Sequence, residues 1–374
     1  MSGVPALEAI PADILEAGDY EAHARRRLDA NAWAYFSANA GHGRTQAANR
    51  AAWDRIALLP RVLRPLQGLH TGQTLLGRPL PVPLLVAPMA LQKLAHPDGE
   101  LAMALAAAAQ GAGLVLACQA STPLEAVAQA VRKDGGRGPL WLQLHWFPDR
   151  SISTGLLQRA EAAGFEAVVL TVDSAMRAQR ASERRAGFHL PPGVAAVNLP
   201  PDRHAPPADL AGLLAHAPSW DDVAWLRTQT RLPVLLKGIL HPEDAREAAR
   251  QQVDAVIVSN HGGRTLDGAA ATAAILPRIA DRVGDSLPLL VDGGVRSGAD
   301  VFKARALGAR AVLVGRPLLW ALATAGALGV AHALRLLRDE LELAMAQCGA
   351  ASLEQVDRSL LLADHLPHEG PSGE

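Results

Sequence analysis

Eight short apolar runs, each trailed by an Ala-rich stretch with helical spacing, recur along the 374 residues and predict a closed (β/α)₈ barrel. Two further observations support that class. The runs are continuous rather than alternating, as strands covered on both faces require. Polar and glycine residues follow them at once, where such a barrel builds its site. Six units could wind an open sheet as well, and the count of eight favours closure. Such a barrel occupies roughly 250 residues or more with its insertions, so one domain accommodates the whole chain. The expected division is a single domain over 1–374, with an N-terminal extension at 1–80, a barrel at 81–365 and a long insert at 190–218.

Taken in order, the extension carries an amphipathic pattern that predicts one helix over 20–34. The strands are expected at 84–87, 114–117, 140–144, 167–172, 234–237, 255–258, 289–291 and 311–314. Helical patterns fill 99–110, 122–133, 154–163, 221–230, 242–252 and 298–307 between them. Ser121 and Ser297 stand where N-caps belong, able to receive the orphan amides of a first turn. The stretch 190–218, with its Pro, Ala and His, is too long for an ordinary βα turn and reads as a lid, against a plain solvated loop. The apolar stretch 318–337 is interrupted by His332 and Arg335 and reads as a buried helix, short of the uninterrupted ~20 residues of a membrane span.

Thirty-six Lys and Arg nearly cancel 37 Asp and Glu, so no net field favours nucleic acid or an anionic membrane, and any anion site must be local. Cys118 and Cys348 are the only cysteines and lie far apart, which supports neither a disulfide framework nor a thiolate metal site and fits a reducing cytoplasm. The first twenty residues hold Glu8, Asp13, Glu16 and Asp19 and lack the basic start and apolar run of a secretory signal.

The strand ends then supply the chemistry. Asp292-Gly293-Gly294-Val295-Arg296 and Gly315-Arg316-Pro317 read as a phosphate site: glycines let an anion approach the backbone, two arginines supply charge, and helix starts follow. A phosphorylated cofactor is implied. Lys237 ends an apolar strand, where an unpaired cation would cost several kcal/mol, so it needs an anion: a cofactor that becomes negative in turnover, or Asp173 or Asp292. His261 sits three residues before Arg264 on a glycine-bearing turn. An imidazole accepts a proton near neutral pH and a guanidinium grips a carboxylate, so the pair suggests proton abstraction from an acid, with Asp173 stabilising the imidazolium.

These motifs are recognisable. The chain resembles the FMN-dependent 2-hydroxy acid oxidases and dehydrogenases, a family of glycolate, lactate and mandelate enzymes. The match covers about residues 20 to 365. Its most specific segment is Ser259-Asn260-His261-Gly262-Gly263-Arg264-Thr265-Leu266-Asp267, supported by Leu236-Lys237-Gly238, Ala87-Pro88-Met89-Ala90 and His96-Pro97-Asp98-Gly99-Glu100. The resemblance implies His261 as base with Asp173 as partner, and Tyr35, Arg180 and Arg264 as the carboxylate set. It implies FMN contacts from Pro88, Met89, Ala90, Gln143, Thr171 and Lys237, with Ser259 and Asp292 also serving the cofactor and Gly294, Arg296, Gly315 and Arg316 its phosphate. No metal is expected, and a homotetramer is.

Two departures bear on the substrate. His145 stands where the family commonly has a tyrosine, and Gln119 where it has an aromatic residue. Leu144-His145-Trp146 resembles mandelate-oxidising members more, which implies a larger or aromatic (S)-2-hydroxy acid, with His145 at the substrate. Ala90 near the flavin favours oxygen as acceptor. The rival readings are a dehydrogenase with a quinone or protein acceptor, an FMN-dependent isomerase, and a non-catalytic flavoprotein.

Overall fold

The computed structural model describes residues 9–132, 138–174, 180–201, 210–215 and 217–362. Both chain termini, the end of the 122–133 helix and the middle of the 190–218 insert lie outside the described residues. The extension comes first, with helices α1 (Tyr20–Arg27), α2 (Ala30–Ser37) and α3 (Arg44–Arg55), then an antiparallel hairpin of β1 (Gln73–Leu75) and β2 (Arg78–Leu80). The strands β3 (Leu84–Val86), β4 (Gly113–Ala117), β5 (Leu140–His145), β6 (Ala167–Thr171), β7 (Val234–Ile239), β8 (Ala255–Val258), β9 (Leu289–Val291) and β10 (Ala311–Val314) pair in parallel, each with the next. The ring closes where β10 meets β3, Val312 opposite Leu84. This is the (β/α)₈ barrel that the apolar runs predict.

Around it lie α4 (Gly99–Ala109), α5 (Leu124–Arg132), α6 (Arg150–Ala163), α7 (Ala181–Arg185), α8 (Leu210–Ala215), α9 (Trp220–Thr228), α10 (Pro242–Arg250), α11 (Thr272–Val283), α12 (Gly298–Ala306) and α13 (Arg316–Gln347). Alternate strand residues serve two cores. Leu85, Val115, Trp141, Val169, Leu235, Ile257, Leu290 and Leu313 fill the barrel, while their neighbours such as Leu84 and Val86 pack outward beneath the helices. Leu75 and Leu80 of the hairpin join the inner cluster. Gln73 bonds the Arg310 carbonyl before β10 and Arg78 pairs with Glu166 before β6, so the hairpin closes the end where the strands begin. The opposite end is left for the site.

Several expectations need correction. The helix expected over 20–34 is two helices, because Leu28 turns extended (ψ 138°) and the Asp29 carboxylate caps α2 through the Ala32 amide at 2.7 Å. Ser121 is no cap: its hydroxyl is drawn to the buried Glu100 carboxylate at 2.8 Å, and Asn198 receives the first amide of α5, that of Leu124. Ser297 does cap α12, in a reciprocal box with Asp300. The terminal apolar stretch belongs to α13, which breaks at Ala325 and Gly326, the latter at φ +57° against His96. By length and hydropathy α13 could cross a membrane, but 78% of its apolar window is buried, as in a core helix.

Candidate active site

The C-terminal ends of the strands open on a cavity of about 1500 Å³. His261 reaches it on a turn of left-handed residues: His261 at φ +56°, Gly262 at +61° and Gly263 at +82°. A side chain at Gly263 would meet the Gln46 backbone at 2.8 Å, so the turn is held against α3, and the His261 amide donates to Ser259 Oγ at 3.0 Å. A non-glycine residue in this region is uncommon and tends to mark a constrained functional position. Its Nδ1 lies 3.2 Å from Asp173 Oδ1, leaving Nε2 as the other ring nitrogen. Burial pushes the His261 pKa below its ordinary value, Asp173 opposing and Lys237 and Arg264 adding to the fall. Burial alone would raise the Asp173 carboxyl, but the facing His261 and Lys237 hold it below the carboxylate range. The resting pair is therefore a neutral imidazole beside a carboxylate.

Lys237 sits on the irregular β7–β8 register, where Gly238 at φ +112° leaves room for Asp173, whose Cβ would be 2.5 Å from an added side chain. Its Nζ pairs with Asp292 Oδ2 at 3.0 Å and donates to Ser259 Oγ at 2.9 Å. Of the two carboxylates open to it from sequence, Asp292 is the one engaged. Ser259 does not line the cavity as a cofactor contact would. It is buried behind the wall, and its hydroxyl joins Lys237 to the His261 backbone.

Arg180 and Arg264 also line the cavity, together with Tyr35 of α2. Arg264 Nη1 donates to the carbonyls of Tyr35, Phe36 and Ala38 at the end of α2, and the guanidinium lies 5.5 Å from the Tyr35 ring. Phe188 stacks on Tyr35 at 4.8 Å, and Asn31 exchanges hydrogen bonds of 2.8 and 3.1 Å with the His189 backbone, so the segment after α7 is clipped to the extension. Behind both arginines stands the buried Glu183, 2.9 Å from Arg180 Nη1 and 3.8 Å from Arg264 Nη2. The sequence reading missed it, although its place three residues after Arg180 in a short helix was a signal. His145 faces the cavity from the end of β5, its Nδ1 3.0 Å from Ser174 Oγ. Burial, with the neighbouring His261, Lys237 and Arg180 adding to the fall, takes it down to about 4, so it is neutral at physiological pH.

At the other side, Pro88, Met89, Ala90, Gln143 and Thr171 line the cavity, Gln143 donating to Thr171 Oγ1 at 2.9 Å. The 88–91 loop is tied to the end of β4 through Glu100, which accepts from the Gln92 amide at 3.0 Å and the Ser121 amide at 2.8 Å. Gly294, Arg296, Gly315 and Arg316 line the far end. At Gly294 an added Cβ would lie 2.8 Å from the Asn49 backbone. Among the described residues neither Arg296 nor Arg316 makes an ion pair within 4.0 Å, and Asp292 Oδ1 is buried without a partner. Arg316 spends four donor bonds on the Phe36, Gly262 and Ala38 carbonyls and Asn39 Oδ1, which leaves an anion its charge and one further N–H. Burial and the neighbouring Arg264 and Arg296 push its pKa down to about 9. A glycine-walled pocket with two cations lacking acids and an orphaned carboxylate oxygen is what a bound phosphorylated, hydroxyl-bearing group would complete.

A model of FMN-dependent dehydrogenases matches residues 24–363. L-lactate oxidase of Alicycliphilus denitrificans is 48% identical over 363 residues, with 95% of this chain and 98% of that protein covered. Human 2-hydroxyacid oxidase 1 is 39% identical over 93% of this chain and 96% of its own. A crystal structure of mandelate oxidase with benzoyl-formic acid superposes with a TM-score of 0.85 at 42% identity, covering 93% of this chain and 98% of that one. The barrel, the unbalanced arginines at its mouth and these likenesses agree: the chain belongs to the FMN-dependent dehydrogenase family, with FMN as its cofactor.

Proposed function

We propose that the chain oxidises an (S)-2-hydroxy acid, larger than glycolate and of aromatic or comparable bulk, to the 2-oxo acid, with molecular oxygen as acceptor. The observation that carries the reading is His261, paired with Asp173 at 3.2 Å and carried on the same turn as Arg264, in the cavity that Arg180 also lines. The arginines and Tyr35 receive the carboxylate. With Nδ1 turned to Asp173, the Nε2 of neutral His261 accepts the proton, and Asp173 stabilises the imidazolium. FMN, when bound, would supply the two-electron acceptor for oxidation at the substrate α-carbon. Lys237 supplies positive charge beside that acceptor. Gly294, Arg296, Gly315 and Arg316 would hold its phosphate, and Pro88, Met89, Ala90, Gln143, Thr171 and Asp292 would hold the rest of it.

A bulky side chain is supported by the apolar outer wall of Leu91, Phe147, Phe188 and Leu199, and by the smaller groups at Gln119 and His145 where the resemblance has aromatic rings. Oxygen is supported by Ala90 and by the names of the relatives. The family resemblance and two free, buried cysteines also support a cytoplasmic homotetramer, which light scattering on the purified protein tests. The test of the reaction is an anaerobic titration of the yellow holoenzyme with (S)-mandelate, (S)-lactate, glycolate and longer 2-hydroxy acids. Strongest bleaching by the bulky acids, with rapid recovery in air, is expected. Recovery only with a quinone or protein acceptor would make the enzyme a dehydrogenase, and no bleaching would leave an isomerase or a binding protein.

A further inference from the structure

We infer that Glu183 is a positioning residue for substrate recognition: one buried carboxylate that holds Arg180 in place beside Arg264 before the substrate arrives. The inference rests on the reading that these two arginines receive the substrate carboxylate.

Two guanidiniums facing one small volume repel each other, and the cavity also holds the cations Lys237, Arg296 and Arg316. Glu183 supplies a counter-charge from behind. Its Oε1 is 2.9 Å from Arg180 Nη1 and 3.8 Å from Arg264 Nη2, its side chain is 7% exposed, and it does not line the cavity. The acid therefore orients the pair without competing for the space that the substrate fills.

The two arginines depend on it unequally. Arg264 has an independent anchor, because its Nη1 is held by the carbonyls of Tyr35, Phe36 and Ala38. Among the described residues Arg180 has a weaker hold elsewhere, a long Nε contact of 3.5 Å to the Arg264 carbonyl. Glu183 lies in α7 itself, so the ion pair spans three residues of one short helix and fixes the direction of the Arg180 side chain from the backbone that carries both. Removing the charge frees Arg180 in particular. A guanidinium that must be ordered at the moment of binding gives up affinity that an ordered one retains.

The arrangement predicts a defined kinetic pattern. Holding the carboxylate contributes to ground state and transition state alike, so Glu183→Gln raises KM about tenfold with kcat changed less than about threefold. Glu183→Asp, which keeps the charge on a shorter arm, recovers part of the loss. The decisive measurement is a double-mutant cycle on the FMN-loaded enzyme, with the dissociation constants of benzoylformate and pyruvate read from the perturbation of the flavin spectrum. Glu183→Gln is expected to weaken both ligands about tenfold in the wild-type background and less than twofold in an Arg180→Met background. Equal weakening in both backgrounds, or none in either, would overturn the role of Glu183 while leaving the arginines theirs. If Arg180→Met itself leaves both constants unchanged, the carboxylate reading fails, and this inference with it. Glu183→Gln preserves size and one acceptor oxygen, so a loss of fold shows separately as a loss of bound flavin.

Discussion

The two ends of the cavity handle charge in opposite ways. At the end of His261 each ionic group has a protein counterpart: His261 faces Asp173, Arg180 and Arg264 share Glu183, and Lys237 pairs with Asp292. At the end of Arg296 and Arg316 the cations bond carbonyl oxygens and, among the described residues, have no acid within 4.0 Å, Glu21 acting only from longer range, and burial depresses both pKa values. The difference matches the lifetimes of the occupants. A substrate that comes and goes meets a region already neutralised, so the empty site is not strained by its own charge. A resident phosphate can be part of the structure, and the protein leaves its charge unsupplied.

The largest expected effect breaks the first end. Changing His261 to Gln should lower kcat about 10⁴-fold while FMN stays bound, because only the proton acceptor is lost. Steady-state kinetics and flavin content of the same sample check this, and loss of flavin with loss of rate would erase the distinction between the ends. Arg296→Met addresses the other end. Flavin affinity should fall about 100-fold by fluorescence titration, whereas the thermal midpoint of the flavin-free protein should rise, since a partly buried cation near Arg50, with no acid in ion-pair range, has been removed. A fall in both would mean that Arg296 is already paired without the cofactor.

Ser259→Ala sharpens the comparison from the middle. Its hydroxyl serves both Lys237 and the His261 amide, so kcat/KM should fall about tenfold, the value of one or two hydrogen bonds, with little change in flavin affinity. The smallest effect is in pH. The lowered His261 pKa keeps the base neutral to more acidic pH, so kcat/KM at pH 6.5 should stay close to its plateau. A histidine at its unperturbed value of about 6.5 would have lost half its activity there. An acid limb centred above 6.5 would show that Asp173 outweighs burial and the neighbouring cations.

The barrel was legible because its strands are buried on both faces and announce themselves as apolar runs, and β8, β9 and β10 fall at the residues expected. The hairpin Gln73–Leu80 was not, since its strands are three residues long and half exposed. The break at Leu28 was hidden because Asp29 reads equally as a surface residue of a longer helix and as a cap. Most of the residues singled out at strand ends by position and motif line the cavity. Ser259 does not line it, because the motif shows that a residue is needed near the site, without showing on which side of the wall it stands. Glu183 and Glu100 were missed as agents for a related reason: each acts through other side chains, and a periodicity or a strand end does not mark such a residue.

The carbonyls at the end of α2 receive both Arg264 and Arg316, one from each end of the cavity. The extension that precedes every barrel strand is thus the common anchor of two side chains that the barrel contributes to its own mouth. A chain lacking its first 55 residues would retain every strand of the ring, yet both guanidiniums would lose their seats at once. Flavin retention is therefore a report on the docking of a segment outside the sheet, and the assembly of the site is coupled to that docking rather than to the barrel alone.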